Sequence, residues 1–301
     1  MCSIYRHHII NMKQFFISFL VICYAFSSFG QLSNGKVSSL IAAENYFSAF
    51  TKKNGSKDGF LKVSDDETII FRPEPVKVKD FYSRGTIDAP GQLSWEPTYA
   101  KISGSGDWGF STGPYTYLGV ESASPVNGQY LSVWKANSKG VWKLALNLGI
   151  SHGKPGNTPE LDFRDAKNVK FFRQLSPARL KQREAMITTT DQLFSNTLIK
   201  DQSLAHDIFL AEDARLLFPG EEPIIGKARI HHFISKSQIS IESEPIRADR
   251  ALGSDLAYSY GIAYITKNEL ITKYHYIRIW ESQEGYKWNV IVEVFTPAKE
   301  D

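Results

Sequence analysis

Eight landmarks of this 301-residue chain occur twice, in the same order and at nearly the same separation. Phe60 and Phe209 are 149 residues apart, Gly140 and Gly285 are 145 apart, and the other separations lie between these values. A near-constant offset over so long a stretch predicts two copies of one domain, not a solenoid of short repeats. The landmarks are Phe60-Leu61, Asp66, Phe71, Pro75, Asp107, Trp134, Gly140 and Trp142, matched by Phe209-Leu210, Asp213, Phe218, Pro223, Asp255, Trp280, Gly285 and Trp288.

The first thirty residues differ in character from the rest of the chain. Arg6 and Lys13 precede an apolar run at residues 15–26, which is followed by small residues up to Gly30. A positive start, a short apolar run and a small residue at the exit are typical of a secretory signal peptide. A membrane anchor is the alternative, but the run is shorter than the roughly 18 residues that a spanning helix needs. We therefore predict a signal peptide over residues 1–30, cleaved near Gly30, and no stable membrane insertion after cleavage.

Both cysteines of the chain, Cys2 and Cys23, lie in this segment, so the mature protein would contain none. Thiol catalysis and thiolate metal ligands are then excluded, and the two domains must be stabilised by their cores alone. Cys23 follows Ile22, whereas a lipidation signal has a small residue at that position, which disfavours a lipoprotein. We expect an exported protein, periplasmic or extracellular.

The charge balance excludes one class of partner. Removing Arg6 and Lys13 from the 35 basic residues leaves 33 against 32 acidic ones, a net charge of +1. No run of basic residues stands out, so the chain lacks the electrostatic footprint of a nucleic-acid-binding protein.

The order of predicted elements is the same in both copies: a helix, a short helix, a short strand and then four longer strands. Helices followed by antiparallel strands predict an α+β fold with the helices on one face of a curled sheet. We assign the first domain to residues 31–152, a Pro/Gly-rich linker to 153–176 and the second domain to 177–301. The predicted long strands are 95–103, 108–118, 129–136 and 141–150, then 239–250, 255–266, 272–281 and 288–296.

Three repeated local patterns carry a resemblance to a known superfamily. The chain resembles the nuclear transport factor 2-like proteins, which include ketosteroid isomerases and SnoaL-like polyketide cyclases. The resemblance implies two tandem cone-shaped domains, each a curved antiparallel sheet wrapped by N-terminal helices around an apolar pocket. It also implies that the outer faces of the two sheets could pair within one chain. The patterns are Phe209-Leu210-Ala211-Glu212-Asp213 with Phe218-Pro219-Gly220, Gly106-Asp107-Trp108 echoed by Ser254-Asp255-Leu256, and Val133-Trp134 with Gly140-Val141-Trp142 echoed by Ile279-Trp280 with Gly285-Tyr286-Lys287-Trp288.

The catalytic groups of ketosteroid isomerases do not carry over to this chain. Those enzymes use a carboxylate base and an oxyanion hole made by a tyrosine and a protonated aspartic acid. Of the six matching positions, only one keeps the family residue. We therefore predict no catalytic residue. The position of the base is occupied by Phe71 in the first domain and Phe218 in the second. The position of the acid is occupied by Leu131 and Ile277, and that of the tyrosine by Tyr46 and Leu193.

A histidine among apolar neighbours is a candidate ligand group. Strand alternation places His275 on one face with Ile277 and Ile279, and the resemblance implies that Ile277 faces the pocket. One polar group in an apolar pocket can orient a small ligand. A histidine hydrogen-bonded within the core or at the rim of the cone is the alternative. The predicted ligand-binding residues are Tyr46, Gln129, Tyr258, Tyr260 and His275.

Other polar and aromatic residues favour structural roles. Asp107 and Asp255 each follow a hairpin turn, where aspartate forms local hydrogen bonds. The repeated tryptophans are interpreted as sheet-packing residues. His231 and His232 are adjacent on a helix and point about 100° apart, so we predict neither a metal site nor a cofactor.

The sequence therefore leaves three functional hypotheses. The first is an exported, non-catalytic module that binds a small, partly apolar molecule or a protein partner. The second is a SnoaL-like acid–base enzyme, a cyclase, isomerase or dehydratase, acting on a carbonyl or polycyclic substrate. The third is a scaffold whose pockets are filled. A carboxylate pointing into a cone would favour the enzyme, and the sequence pattern places none there.

Overall fold

The computed structural model describes residues 32–85, 90–122, 124–156, 159–166 and 175–299. The predicted signal peptide and both cysteines lie outside the described residues. No helix within the described ranges is long and apolar enough to cross a membrane.

The first domain begins with helix α1 (Val37–Asn54), and the apolar stripe predicted for it is buried. Leu40, Ala43 and Phe47 are at most 1% exposed. The helix ends at Gly55, whose φ of 89° is a conformation that glycine adopts at low cost. The remaining elements are α2 (Ser56–Val63), β1 (Ser64–Phe71), β2 (Pro75–Lys77), α3 (Val78–Ser83), β3 (Gly91–Trp95), β4 (Tyr99–Ile102), β5 (Trp108–Gly119), β6 (Val126–Ala136), β7 (Trp142–His152) and β8 (Asp162–Arg164).

The second domain repeats this order. Its first helix, α4 (Pro177–Lys200), follows Ser176 and has proline in its first turn, where the missing N–H costs nothing. Asp201 then caps the next helix by accepting a hydrogen bond from the Leu204 N–H at 2.9 Å. The remaining elements are α5 (Gln202–Phe209), β9 (Leu210–Leu217), β10 (Ile224–Ile225), α6 (Lys227–Lys236), β11 (Ser240–Arg250), β12 (Leu256–Lys267), β13 (Leu270–Ser282), a 3₁₀ turn (Glu284–Tyr286) and β14 (Trp288–Pro297).

Each domain has its own sheet, and the α+β fold class is confirmed. The strand order is β2-β1-β7-β6-β5-β4-β8 in the first sheet, with β3 also paired to β5, and β10-β9-β14-β13-β12-β11 in the second. The sheets are mixed and not wholly antiparallel as predicted, because β1 pairs in parallel with β7 and β9 pairs in parallel with β14. The short strand at the start of each domain thereby joins the last long strand.

Both faces of each sheet are buried. One face packs under the helices of its own domain. The opposite faces of the two sheets share a single apolar cluster. This interface between the domains includes Phe71, Phe110, Leu131, Leu146, Tyr258, Tyr260, Ile277, Ile279 and Val292.

Polar contacts at the end of the sheets also join the two domains. Asp255 accepts hydrogen bonds from the Ser103 hydroxyl at 2.5 Å and from the Gly104 N–H at 2.7 Å. In the reverse direction, Asp107 accepts from the Leu252 N–H at 3.3 Å. Both aspartates therefore hold the turns of one domain against the other.

Three local features differ from the sequence-based expectation. The strand predicted over residues 95–103 is split into β3 and β4, because Pro97 between them has no N–H for the ladder. Helix α3 was not predicted from the sequence. The stretch assigned as linker contains β8, which pairs in parallel with β4.

Candidate functional site

A pocket of about 260 Å³ lies in the first domain between its helices and the concave face of its sheet. Six of its twelve lining residues are aromatic, which makes the lining mostly apolar with a few polar groups, as small-molecule sites usually are. The lining residues are Phe47, Phe60, Arg72, Leu93, Trp95, Tyr115, Tyr117, Val126, Tyr130, Asn147, Leu148 and Gly149.

The floor of the pocket is rigidly packed and its rim is exposed. Phe47 is fully buried, and its ring makes edge contacts with Trp95 at 4.8 Å and with Phe60 at 5.0 Å between centroids. Val126 is 47% exposed, and Arg72 is also exposed. A ligand would therefore enter past the side chains of Val126 and Arg72.

A buried phenol forms part of the floor. Tyr130 is 5% exposed, and its hydroxyl makes no hydrogen bond to the described residues, although Ser111 lies nearby. Burial, together with the charge of Glu44, raises the pKa of Tyr130 well above its ordinary value, so the phenol is a donor at neutral pH. A buried hydroxyl without a partner is costly, and a ligand acceptor would satisfy it.

A carboxylate lies beneath the floor. Glu44 on α1 is fully buried, and its two oxygens accept hydrogen bonds from the indoles of Trp95 (2.6 Å) and Trp134 (2.7 Å) and from the Ser111 hydroxyl (2.5 Å). Burial raises the pKa of Glu44 above its ordinary value, and these donors offset part of that rise. Glu44 is outside the pocket lining, whereas Trp95, which donates a hydrogen bond to it, is part of that lining.

The second domain places larger side chains at the matching positions. Strand pairing sets Tyr130 opposite Gly149 in the first domain, and sets Tyr276 opposite Phe295 in the second. Phe295 is fully buried and its ring lies 5.9 Å from that of Phe218. The space that is open in the first cone is therefore occupied by protein in the second.

Buried charged side chains also occupy the interior of the second domain. The pair Ser132 and Asn147 of the first domain corresponds to Arg278 and Glu293 in the second. Arg278 is fully buried, bonds to Glu293 at 2.8 Å and also bonds to Asp191 on α4. Burial lowers the pKa of Arg278, but Asp191 and Glu293 outweigh it and keep the pKa above its ordinary value. Burial raises the pKa of Glu293.

Two predicted ligand residues of the first domain lie away from the pocket. Tyr46 is half-buried and its ring centroid lies 5.8 Å from that of Phe50, while the neighbouring Phe47 lines the pocket instead. Gln129 is on the opposite face of the sheet, where its amide donates to the Thr112 hydroxyl at 3.1 Å. It borders a small cavity of about 70 Å³ between the domains.

The inward orientation predicted for His275, Ile277 and Ile279 is wrong. Alternation correctly places them on one face, but that face contacts the first domain. His275 Nε2 lies 2.9 Å from a carboxylate oxygen of Glu74, and Tyr258 and Tyr260 are buried in the same interface. Both faces of this strand are apolar, so its sequence does not show which face points into the cone. The prediction therefore depended on the alignment to the family, and that alignment is shifted by one residue.

The same shift applies to the positions matched to the ketosteroid isomerase acid. Leu131 and Ile277 lie in the domain interface, so the residues that point into the cones are Ser132 and Arg278. Neither residue is a carboxylic acid.

Sequence reasoning missed a buried carboxylate on the first helix of each domain, Glu44 on α1 and Asp191 on α4. They occupy equivalent positions, 147 residues apart, and each interrupts an apolar helical stripe. Glu44 lies between Leu40 and Phe47, and Asp191 between Ile187 and Phe194. A carboxylate in such a stripe indicates a buried acid that requires donors.

His231, one of the paired histidines of α6, contacts an aspartate and another histidine. His231 lies 3.3 Å from Asp207 and packs against the ring of His206 at 5.4 Å. Burial lowers the pKa of His206 to about 3, so this ring is neutral. No group of three or more potential metal ligands occurs in the part of the chain that is described.

Comparison with known proteins gives similarity at the level of fold. No family model matches the chain, and no curated protein matches it. A nuclear transport factor 2-like protein from Cytophaga hutchinsonii is 15% identical, covers 41% of this chain and 100% of its own, and has a TM-score of 0.32. Nuclear transport factor 2 from Cryptosporidium parvum is 11% identical, covers 42% and 100%, and has a TM-score of 0.32.

An LEH-like epoxide hydrolase from M. tuberculosis is 14% identical, covers 38% of this chain and 80% of its own, and has a TM-score of 0.31. Each domain has the order of helices and strands that the resemblance to nuclear transport factor 2-like proteins implies, and its first strand pairs in parallel with its last. The chain contains this arrangement twice.

Proposed function

We propose that this protein is an exported, non-catalytic binding protein whose ligand, a small and partly apolar molecule, occupies the pocket of the first domain. The second domain serves as a filled scaffold that packs against the first.

The contrast between matched positions carries this proposal. Gly149 leaves space opposite Tyr130, whereas Phe295 fills the same space in the second domain. Both domains bury the helix-side face of their sheet, yet they differ in how this position of the interior is filled. An interior that remains open, lined by aromatic rings and with an unpartnered buried hydroxyl on Tyr130, favours occupation by a ligand.

The surroundings of Glu44 favour binding over acid–base catalysis. Both carboxylate oxygens already accept hydrogen bonds, and Glu44 is not among the residues that line the pocket. A catalytic base must come within hydrogen-bond reach of a substrate proton. Glu44 would have to give up some of these hydrogen bonds before it could accept a substrate proton.

Blocking the rim tests the proposal with little risk to the fold. Val126 is on the rim and 47% exposed, so Val126→Trp should cover the opening without disturbing the core. Val120→Trp is the matched control, because Val120 is 76% exposed and lies outside the lining. The probe is 2-naphthamide, a neutral flat molecule, measured by isothermal titration calorimetry.

We expect the wild-type protein and Val120→Trp to bind the probe with similar affinity, and Val126→Trp to bind it at least about tenfold more weakly, a loss of about 1.4 kcal/mol. Equal affinity in all three proteins would place the probe elsewhere and overturn the proposal. Native mass spectrometry of the purified protein would show any ligand that co-purifies.

The alternative is a SnoaL-like enzyme, and the raised pKa of Glu44 is the observation that favours it. That hypothesis requires turnover of a carbonyl substrate that Glu44→Gln abolishes while 2-naphthamide binding persists. Binding without turnover supports the non-catalytic function.

A further inference from the structure

A hydrogen-bond acceptor on β7 faces the first-domain pocket. Asn147 lines the pocket and is 7% exposed, so the accessible part of its side chain faces the cavity. The Ser132 hydroxyl donates to Glu44 at 3.5 Å, which leaves its lone pairs to accept from the Asn147 amide nitrogen at 3.1 Å. That bond fixes the orientation of the amide. Among the described residues, no N–H or O–H donates to Asn147 Oδ1, so this oxygen can accept from a ligand.

The second domain shows what fills the equivalent place. Glu293 follows Asn147 by 146 residues, and its Oε1 accepts from Arg278 Nε at 2.8 Å. The planar guanidinium of Arg278 lies over two aromatic rings, 4.1 Å from the centroid of Phe194 and 4.2 Å from that of Tyr276. A planar group with N–H donors therefore occupies this part of the second cone.

The first domain keeps the rings and lacks the arginine. Phe47 and Tyr130 occupy the positions of those two rings, at offsets of 147 and 146, and both line the pocket. Ser132, whose hydroxyl donates to Glu44, takes the place of Arg278. The pocket therefore presents two aromatic rings and a carbonyl oxygen where the second domain binds its own planar donor.

The charges around this position favour an uncharged donor. Arg278 pairs with two carboxylates, Asp191 and Glu293, whereas the neutral Asn147 replaces the second of them in the first domain. Glu44 replaces the first, and both its oxygens already accept hydrogen bonds from two indoles and a hydroxyl. No aspartate or glutamate lines the pocket within the described ranges. A cation would therefore find no free counter-charge, and burying an unpaired charge is costly.

We infer that the ligand is an uncharged, planar aromatic molecule with an N–H donor of the carboxamide type, which lies against Phe47 and Tyr130 and donates to Asn147 Oδ1. This inference rests on the proposed function, because it specifies the ligand of the same pocket.

Three isosteric probes separate the donor from the rest of the ligand. 2-Naphthamide carries a neutral NH₂ group, 2-acetonaphthone has a methyl group in its place, and 2-naphthamidine is a cation with N–H donors. The first two share the carbonyl oxygen, so any contact made by this acceptor is common to both. Binding is measured by isothermal titration calorimetry on the full mature chain.

The variants remove or charge the proposed acceptor. Asn147→Leu has a similar volume and cannot accept a hydrogen bond, and Asn147→Asp places a carboxylate at the position of Glu293. Asn289→Leu is the matched control, because Asn289 also donates within its own domain, to the Ile208 carbonyl oxygen at 2.9 Å, and lies outside the pocket lining. Circular dichroism melts of each variant verify that the fold is retained.

We expect wild type and Asn289→Leu to bind naphthamide at least about fivefold more tightly than acetonaphthone or naphthamidine. In Asn147→Leu the naphthamide affinity should fall to that of acetonaphthone, while acetonaphthone affinity stays within about twofold. Asn147→Asp should bind naphthamidine at least about fivefold more tightly than wild type does, because it supplies the missing counter-charge. If Asn147→Leu does not fold, the preference of wild type and the gain in Asn147→Asp decide the question.

The failure of this inference is distinguishable from that of the proposed function. Equal binding of naphthamide and acetonaphthone by wild type, or a preference that survives in Asn147→Leu, overturns the donor assignment and leaves pocket binding intact. Tighter binding of naphthamidine than of naphthamide by wild type overturns the uncharged assignment. Weaker binding of both neutral probes by Val126→Trp supports the site itself. Absence of binding of all three probes to wild type contradicts both proposals.

Discussion

Replacement of Arg278 by methionine tests whether the second cone depends on its buried ion network. Arg278 is fully buried, bonds to Asp191 and Glu293, and lies over the ring of Phe194 at 4.1 Å. Methionine occupies much of the same volume but leaves two carboxylates in the core without a counter-charge. Removing one partner of a buried ion pair costs about 3 to 5 kcal/mol, and we expect a loss of that size.

The loss should depend on pH. Burial raises the pKa of Glu293 above its ordinary 4.5, even with Arg278 present. A carboxyl whose pKa is raised by folding destabilises the native state when it ionises, so this group lowers stability as the pH rises above 4.5 toward its folded-state pKa. Without Arg278 this effect increases. Arg278→Met should therefore be less destabilised at mildly acidic pH than at neutral pH.

Urea unfolding measures the free energy, and hydrogen exchange locates the effect. For a urea dependence of about 2 kcal/mol per molar, the midpoint should fall by about 2 M. Exchange should accelerate in β13 and change little in β6. The exposed Arg229→Met should lie within about 0.5 kcal/mol of wild type, and adding Glu293→Gln to Arg278→Met should recover part of the loss. A midpoint for Arg278→Met equal to that of wild type would refute the reasoning.

Three further predictions concern the domain contact, a close approach and export. Burial acts to raise the pKa of Glu74, but the Lys299 N–H and His275 outweigh burial and hold this pKa below its ordinary value. Ionised Glu74 therefore stabilises the folded protein. This stabilisation is complete above pH 4.5 and is lost as the pH falls through the folded-state pKa. Glu74→Gln should lower the free energy of unfolding by about 1 kcal/mol or less at neutral pH and leave it unchanged in acid. Urea unfolding midpoints measure both values, and an equal difference at the two pH values would contradict the prediction. Gly261→Ala should lower the free energy of unfolding by about 1 to 3 kcal/mol, because the added Cβ would overlap the Glu244 carbonyl oxygen. An unchanged melting temperature would contradict this close approach. The mature protein should begin near Gln31 by intact mass, and a full-length species retained in the membrane would disprove cleavage.

Much of the fold could be predicted because the elements are long and periodic. The stripe of α1, with Leu40 and Phe47 at helical spacing, required a buried helix face. The alternation in β13 correctly separated Ile277 from Tyr276. The mixed pairing of each sheet could not be predicted, since the pattern within β1 does not reveal which strand lies beside it.

The direction of the sheet faces was the main failure, and its cause is physical. In a sheet with one wet face, polarity shows which side is the core. In β13 one face carries Ile277 and the other carries Tyr276 and Trp280, and all three are completely buried. Alternation alone cannot then distinguish the pocket side from the domain interface.

The open and filled cones could have been identified by aligning the two copies. Gly149 and Phe295 lie 146 residues apart, within the range of offsets of the repeat, and the difference in side-chain volume indicates which interior has space. The position of Arg72 at the rim required the structure, because the loop after β1 has no periodic pattern.

The pairing of two sheets within one chain has a consequence for how the protein behaves on dilution. Because residues 153–176 connect the two cones in one chain, their association is a unimolecular step that does not depend on protein concentration. Two separate identical cones would come apart at low concentration and would offer two equivalent pockets. The tethered pair remains assembled at any concentration. Under the proposed function, the first pocket should therefore bind one ligand per chain, with an affinity that does not depend on protein concentration.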